Sequence, residues 1–286
     1  MAEGYTLAFT CRDAVGIVAA VTGALAGNDG FILDSQQYAD LETGRFFMRL
    51  HFQSAGPKLP PTRDGVAALI APVAAQFGFD WRLVPADHRP KMLIAASKQL
   101  HCLHDLLYRW QTGALPVDIA GVTANHEDGR ALAERHGLPF FPLPTAPAAK
   151  AERDAELQRL MRETGADYLV LARYMQVLGA DLVQSFPGRI VNIHHSFLPG
   201  FVGAKPYHRA HDRGVKLIGA TAHFVTEELD EGPIIEQAVE RVDHRASVEE
   251  LIAIGRDIEA QVLSRAVAWV AQQRVFPNNG RTVVFR

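Results

Sequence analysis

Ile190-Val191-Asn192-Ile193-His194-His195-Ser196-Phe197-Leu198-Pro199-Gly200-Phe201-Val202-Gly203 is a β-branched run that ends in a Pro- and Gly-rich loop. Asn192 and His194 are two residues apart, so on an extended strand both side chains leave the same face. The strand stops where the loop begins, and a cleft can open at such a point. Further on, Glu227-Glu228-Leu229-Asp230-Glu231-Gly232-Pro233 places carboxylates in a second tight turn. An amide, an imidazole and a carboxylate at loop ends point to acyl or formyl chemistry.

The surroundings of this stretch repeat its rhythm. Residues 91–96, 117–123, 168–172 and 190–193 are short apolar runs. Between them, residues 101–111, 128–136, 151–164 and 179–186 carry helical spacing. This alternation predicts a doubly wound, Rossmann-like α/β domain with its site at the carboxyl ends of the strands. Residues 217–225 and 233–239 read as a later strand pair. Ser247-Val248-Glu249-Glu250 has the capping-box pattern and opens a final helix expected to reach Arg274.

Upstream, strand-like alternation at 5–10, 31–38, 46–52 and 81–84 is interleaved with helical periodicity at 15–26 and 64–77. The order is βαββαβ, the ferredoxin-like split βαβ pattern. Pro72 is expected to bend or shorten the second of these helices. A polar segment between Pro85 and Pro90 reads as a linker. The expected organisation is therefore 1–84, a linker at 85–90, and a catalytic domain over 91–286.

Composition narrows the classes. With 48% hydrophobic and 21% charged residues, the 286-residue chain can bury a substantial core. A net charge of −3 argues against nucleic acid as a partner. No apolar run is long enough to span a bilayer, and the N-terminus lacks a secretory pattern, so no membrane partner is expected. Cys11 and Cys102 make no disulfide framework, which favours a reducing cytoplasm. Neither G-x-G-x-x-G nor a Walker motif occurs, so no nucleotide cofactor is expected. Histidines 194, 195, 208, 211 and 223 with Asp230 raise a metal reading, but no known ligand spacing is present and no metal is expected.

The second half resembles the folate-dependent formyltransferase family. The likeness is carried by Val191-Asn192-Ile193-His194, the Leu198-Pro199 turn, and Ala222-His223-Phe224-Val225-Thr226-Glu227-Glu228-Leu229-Asp230-Glu231-Gly232-Pro233-Ile234-Ile235. The whole chain is similar to the deformylase branch of that family, which sets an ACT domain before the formyltransferase domain. Ser97-Lys98-Gln99-Leu100-His101-Cys102-Leu103, Asp105 to Trp110, Ala172-Arg173-Tyr174-Met175-Gln176-Val177-Leu178 and Gly203-Ala204-Lys205-Pro206-Tyr207-His208-Arg209-Ala210 share in this likeness. It implies hydrolysis of 10-formyltetrahydrofolate to formate and tetrahydrofolate. It also implies an amino-acid effector at the ACT domain and a homo-oligomer. Cys11-Arg12-Asp13-Ala14-Val15-Gly16 and Gly30-Phe31-Ile32-Leu33 depart from the branch's Cys-Pro-Asp-Arg-x-Gly and Gly-x-Asn-Ile patterns. Those departures remove polar positions that an effector would use.

Within that resemblance, Asn192 and His194 would hold the oxyanion formed when water adds to the formyl carbon. Asp230 would serve as base, its value raised by partial burial and by Glu227, Glu228 and Glu231. Whether Asp230 is the base or the partner of His194 stays open. The resemblance lays the pterin ring along Arg173, Tyr174, Met175, Val177 and Leu178, with Gly232 also at the substrate. Lys98 is a candidate for the folate's glutamate. His223 is a candidate for support behind the site, and strand alternation turns His195 away from it. Ser97 to Leu103 is bulky and without glycine, which favours water over an amine as acceptor. An amine-accepting formyltransferase and a non-catalytic folate or amino-acid sensor are the rival readings.

Overall fold

The computed structural model describes residues 4–146, 149–200 and 206–286. Gly203, Ala204 and Lys205, part of one quoted motif, lie outside the described residues, as do Phe201 and Val202. The chain divides into two compact units, Met1–His88 with Gln272–Arg286, and Arg89–Ala271.

The first unit is a ferredoxin-like sheet and two helices. Its elements run β1 (Gly4–Arg12), α1 (Ile17–Gly27), β2 (Gly30–Asp40), β3 (Arg45–Ser54), α2 (Arg63–Phe77) and β4 (Asp80–Pro85). The antiparallel strands lie in the order β2-β3-β1-β4. Alternate residues of β1, namely Tyr5, Leu7, Phe9 and Cys11, share a core with Ile17, Val21 and Leu25 of α1 and with Val66 and Ile70 of α2. This is the period-two face of a strand meeting helical stripes. Of the two expected effects of Pro72, shortening does not occur: α2 runs on to Phe77. The Pro72 ring and Ala68, the residue whose carbonyl it leaves unpaired, are both exposed, so water can serve that carbonyl.

The second unit is the doubly wound domain. Its elements run β5 (Lys91–Ala96), α3 (His101–Gln111), β6 (Asp118–Ala124), α4 (Arg130–Arg135), β7 (Phe140–Pro142), α5 (Lys150–Glu163), β8 (Tyr168–Ala172), α6 (Ala180–Ser185), β9 (Ile190–His194), α7 (Pro206–Asp212), β10 (Leu217–Phe224), β11 (Ile234–Arg241) and α8 (Val248–Ala271). The sheet order is β11-β10-β9-β8-β5-β6-β7. Strands β9, β8, β5, β6 and β7 are parallel, while β10 at one side pairs antiparallel with both β9 and β11. The chain winds outward from β5 to β7 and then returns to β8 and β9. The topological switch point therefore lies between the carboxyl ends of β5 and β8. Strand β8 is buried along its whole length, as a strand covered on both faces must be. The capping box forms as its sequence demands: Ser247 N donates to Glu250 Oε2 at 2.7 Å, and Glu250 N to Ser247 Oγ at 3.2 Å.

The expected final helix ends at Ala271, short of Arg274. A hairpin follows, β12 (Val275–Asn278) and β13 (Arg281–Val284), and it belongs to the first unit rather than to the domain expected over 91–286. Asn279 and Gly280 both have positive φ (46° and 75°), the conformation of a tight two-residue hairpin turn. Phe276 and Phe285 pack on Ala8 and Phe47, the face of the sheet opposite α1 and α2. Asn278 Nδ2 donates to Asp40 Oδ2 at 2.6 Å, which holds the hairpin in register with the end of β2. Phe276→Ala should destabilise the first unit by about 3 kcal/mol, the typical cost of truncating a buried aromatic. A melting curve of the intact chain that shows no downward shift would contradict that placement of the hairpin.

Candidate functional site

Strands β9 and β10 pair so that Asn192 lies opposite His223 and His194 opposite Thr221. The first of these pairs places Asn192 Nδ2 3.2 Å from His223 Nε2. On its other side, His223 Nδ1 lies 2.8 Å from the Phe224 carbonyl, which can only accept. His223 therefore carries its proton on Nδ1, and Nε2 accepts from Asn192. Burial pushes the His223 pKa down, more than the Phe224 carbonyl and Asp230 restore it, so the ring is neutral. A register shift between Ala222 and His223 re-aims this side chain, as bulges beside sites often do.

His194 sits at the carboxyl end of β9 with 6% of its surface exposed. Its Nδ1 lies 3.2 Å from Asp230 Oδ1, and the same oxygen is 3.9 Å from His223 Nε2. Its Nε2 is buried with no hydrogen-bond partner among the described residues. Asp230 reaches the histidines from the β10–β11 turn with φ 60°, a left-handed conformation that aspartate tolerates better than most residues. Gly232 secures that turn: a Cβ there would collide with the Phe224 carbonyl and approach His223 Nδ1 to 3.2 Å. Behind β9, Thr221 fixes the loop after His194. Its hydroxyl donates to the Ser196 carbonyl at 2.9 Å and accepts from Leu198 N at 3.0 Å.

The ionisation of Asp230 differs from the sequence expectation. Burial raises its value, but the hydrogen bond and charge of His194, with His223 and His195, outweigh burial and hold the carboxyl below its ordinary range. Glu227, Glu228 and Glu231 are exposed to solvent. The expected upward push from these glutamates is thus not what governs Asp230.

A cavity of about 340 Å³ adjoins these groups. Asn192, His194, His223 and Asp230 line it together with Arg173, Tyr174, Met175, Val177 and Leu178. Met175 and Val177 each leave 54% of their surface exposed toward solvent, and Leu229, also lining the cavity, leaves 60%. Gly232 is not on the lining; it acts from behind, through the turn. Lys98 is exposed and also outside the lining. His195, expected to point away, lines the cavity and stacks on His194 at 4.9 Å between ring centroids. The strand ends at His194, so alternation no longer governs the next residue.

Sequence reasoning missed Glu259, which α8 presents at 1% exposure to Arg173, His101 and Tyr207. A signal was available: Glu259 interrupts the apolar stripe formed by Leu251, Gly255, Ile258, Val262 and Leu263. His101, Cys102 and Glu259 are close enough to suggest a cation site. Their chemistry opposes it, because Arg173 and Tyr207 already occupy the Glu259 carboxylate and burial pushes the Cys102 thiol well above its usual value. His208 and His211 are exposed on α7.

Burial first, then the charges of Arg173 and His194, push His195 down to about 4. An unfolded histidine titrates at about 6.5. Between these values the unfolded chain binds a proton that the native ring refuses, so stability rises with pH and is lost as pH falls from about 6.5 toward about 4. His195→Asn should flatten this dependence. Urea unfolding of both proteins near pH 7 and near pH 5 checks it, and an equal pH slope for the two would contradict the assignment.

Comparison with known proteins places this architecture. The formyl transferase family model matches residues 90–267. The formyltetrahydrofolate deformylase of Corynebacterium sp. (strain P-1) is 47% identical over 99% of this chain and 98% of its own length. The crystal structure of a formyltetrahydrofolate deformylase from Pseudomonas syringae pv. tomato superposes with a TM-score of 0.96 at 45% identity, covering 100% of this chain and 95% of that one. Glycinamide ribonucleotide transformylase 1 from Symbiobacterium toebii superposes with a TM-score of 0.65 at 31% identity, over 70% of this chain and 95% of its own. With the Asn192, His194 and Asp230 geometry set in a matching fold along nearly its whole length, this chain belongs to the formyl transferase family and, within it, to the formyltetrahydrofolate deformylases.

Proposed function

We propose that this chain hydrolyses 10-formyltetrahydrofolate to formate and tetrahydrofolate, breaking a linear amide-type C–N bond. The observation that carries the reading is a buried imidazole with one nitrogen on a carboxylate and the other unpartnered at a cavity. Exposed Met175, Val177 and Leu229 on the same cavity offer the apolar contact that a flat pterin ring requires. Arg173, Tyr174 and Leu178 continue that wall.

In this mechanism Asp230, ionised and 3.2 Å from His194, orients a water toward the formyl carbon and takes one of its protons. The oxygen of the former carbonyl gains charge. Asn192 Nδ2–H and the Nε2–H of protonated His194 supply donors for it without having to reorganise. The tetrahedral adduct then collapses: the carbon–oxygen double bond reforms, the carbon–N10 bond breaks, and N10 takes the Nε2 proton of His194. Formic acid and tetrahydrofolate depart, and proton exchange with solvent restores the Asp230–His194 pair. Neutral His223 holds the Asn192 amide so that its second N–H is free for the oxyanion. His223 is thus a positioning residue. We further propose that the ferredoxin-like unit is an ACT-type regulatory domain. No helix among the described residues is long and apolar enough to cross a membrane.

His194→Ala and Asn192→Ala should each lower kcat/KM for formate release by about 10²–10³, the usual value of an oxyanion donor. Their melting temperatures should stay close to native, and native rates in His194→Ala would overturn the mechanism. Gly232→Ala should impair the site without touching substrate, because the Asp230 turn must shift to clear the Phe224 carbonyl. Retention of full activity in Gly232→Ala would contradict that account of the turn. Formate release from 10-formyltetrahydrofolate without any added amine tests the overall reaction, and strict dependence on an amine would overturn it.

A further inference from the structure

The sheet's switch point lies between β5 and β8, where doubly wound domains usually seat a ligand. Here the side chains of Gln99, His101, Arg173 and Glu259 meet at that crevice, with Gln99 at its solvent side. Arg173, at the end of β8, places Nε 3.2 Å from Glu259 Oε2 and donates from Nη2 to Gln99 Oε1 at 2.9 Å. His101 Nε2 lies 2.7 Å from the same Glu259 oxygen, and Tyr207 Oη donates to Glu259 Oε1 at 2.7 Å. Arg173 and Glu259 are 8% and 1% exposed, so both charges are taken out of water. Arg173 engages Glu259 and Gln99 through Nε and Nη2, while its buried Nη1 has no hydrogen-bond partner among the described residues. Arg173 adopts φ 63°, a conformation that a non-glycine residue keeps only when its surroundings hold it.

This buried group is not needed to polarise a formyl carbonyl; Asn192 and His194 suffice. Gln99 and His101 come from the segment that follows β5, Arg173 borders the folate cavity, and Glu259 comes from α8. A protein of the same fold, glycinamide ribonucleotide transformylase, is named for a phosphorylated ribosyl amine. A buried arginine and a buried glutamate are the two charges such an amine would seek, one for phosphate and one for ammonium or hydroxyl. In this chain they are committed to each other.

Resting on the hydrolytic reading above, we infer that Gln99, His101 and the Arg173–Glu259 pair form a specificity plug that denies the switch-point crevice to a phosphoribosyl amine and leaves water as the acceptor. With the plug opened, an amine nitrogen would add to the formyl carbon in place of water. The carbon–N10 bond would then break, and N10 would gain the proton that the amine nitrogen loses. Negative selection of this kind, by occupied space and by a charge already paired, discriminates without any change in the catalytic groups.

The test compares the native chain with the Gln99→Gly/His101→Gly double variant and with His101→Ala. Equilibrium dialysis measures binding of glycinamide ribonucleotide, and a parallel assay follows formate and formylated amine from 10-formyltetrahydrofolate. The native protein should bind no amine above background and send all formyl groups to formate. The double variant should bind it and give formylated amine at about tenfold or more above the assay background, the scale set by a few pocket contacts. His101→Ala should move in the same direction if the double variant does not fold. Native protein that binds the amine as well as the variants do would overturn the plug. So would variants that melt like native protein yet bind no amine. Absence of formate from the native protein would instead sink the hydrolytic reading, while dialysis would still decide the plug.

Discussion

Antiparallel pairing of β10 onto an otherwise parallel sheet is the constraint on which this site depends. It sets Asn192 against His223 and His194 against Thr221, and the β10–β11 turn then swings Asp230 onto both imidazoles. A one-residue slip would send Asn192 and His194 to the opposite face of the sheet, away from Asp230. Gly232, with no room for a Cβ, and Thr221, completely buried, guard the two ends of that arrangement. The chemistry is therefore held by backbone register before any side chain contributes.

Two buried ionic groups sit close together and are treated differently. Asp230 keeps 13% of its side chain exposed and has histidines on one side only, so one oxygen remains available to the cavity. Glu259 is enclosed, and every neighbour named here donates to it. Removing one member of an enclosed pair typically costs about 3–5 kcal/mol, because a bare charge is left behind. A partly buried acid that is only half satisfied can act; a fully satisfied one can only hold structure or exclude ligands.

Much of the fold was legible because its signals are local. Residues 91–96, 101–111 and 168–172 have the bounds their apolar spacing indicates, and the capping box at Ser247 forms as written. Asn192 and His194 were legible as a pair from strand spacing, whereas turn chemistry offered four carboxylates and only the family resemblance singled out Asp230. What escaped depends on partners distant in sequence. Glu259 interrupts an apolar stripe, but what it does there is not legible until Arg173 and Tyr207 are seen against it. The direction of the Asp230 shift depends on which charges face it, and sequence proximity suggested the glutamates when the histidines are closer in space. The terminal hairpin was readable from Asn279-Gly280 but was overrun by the periodicity of the preceding helix.

The central claim is that His194 Nε2 and Asn192 Nδ2 together receive the formyl oxygen while Asp230 faces the formyl carbon. A crystal structure with a hydrolysis-resistant N10-formyl folate analogue tests this directly. The account predicts that oxygen at about 3 Å from both nitrogens, the distance of a formed oxyanion contact, with the pterin against Met175 and Val177. A formyl group directed away from His194, with the ring still bound in the cavity, would contradict it.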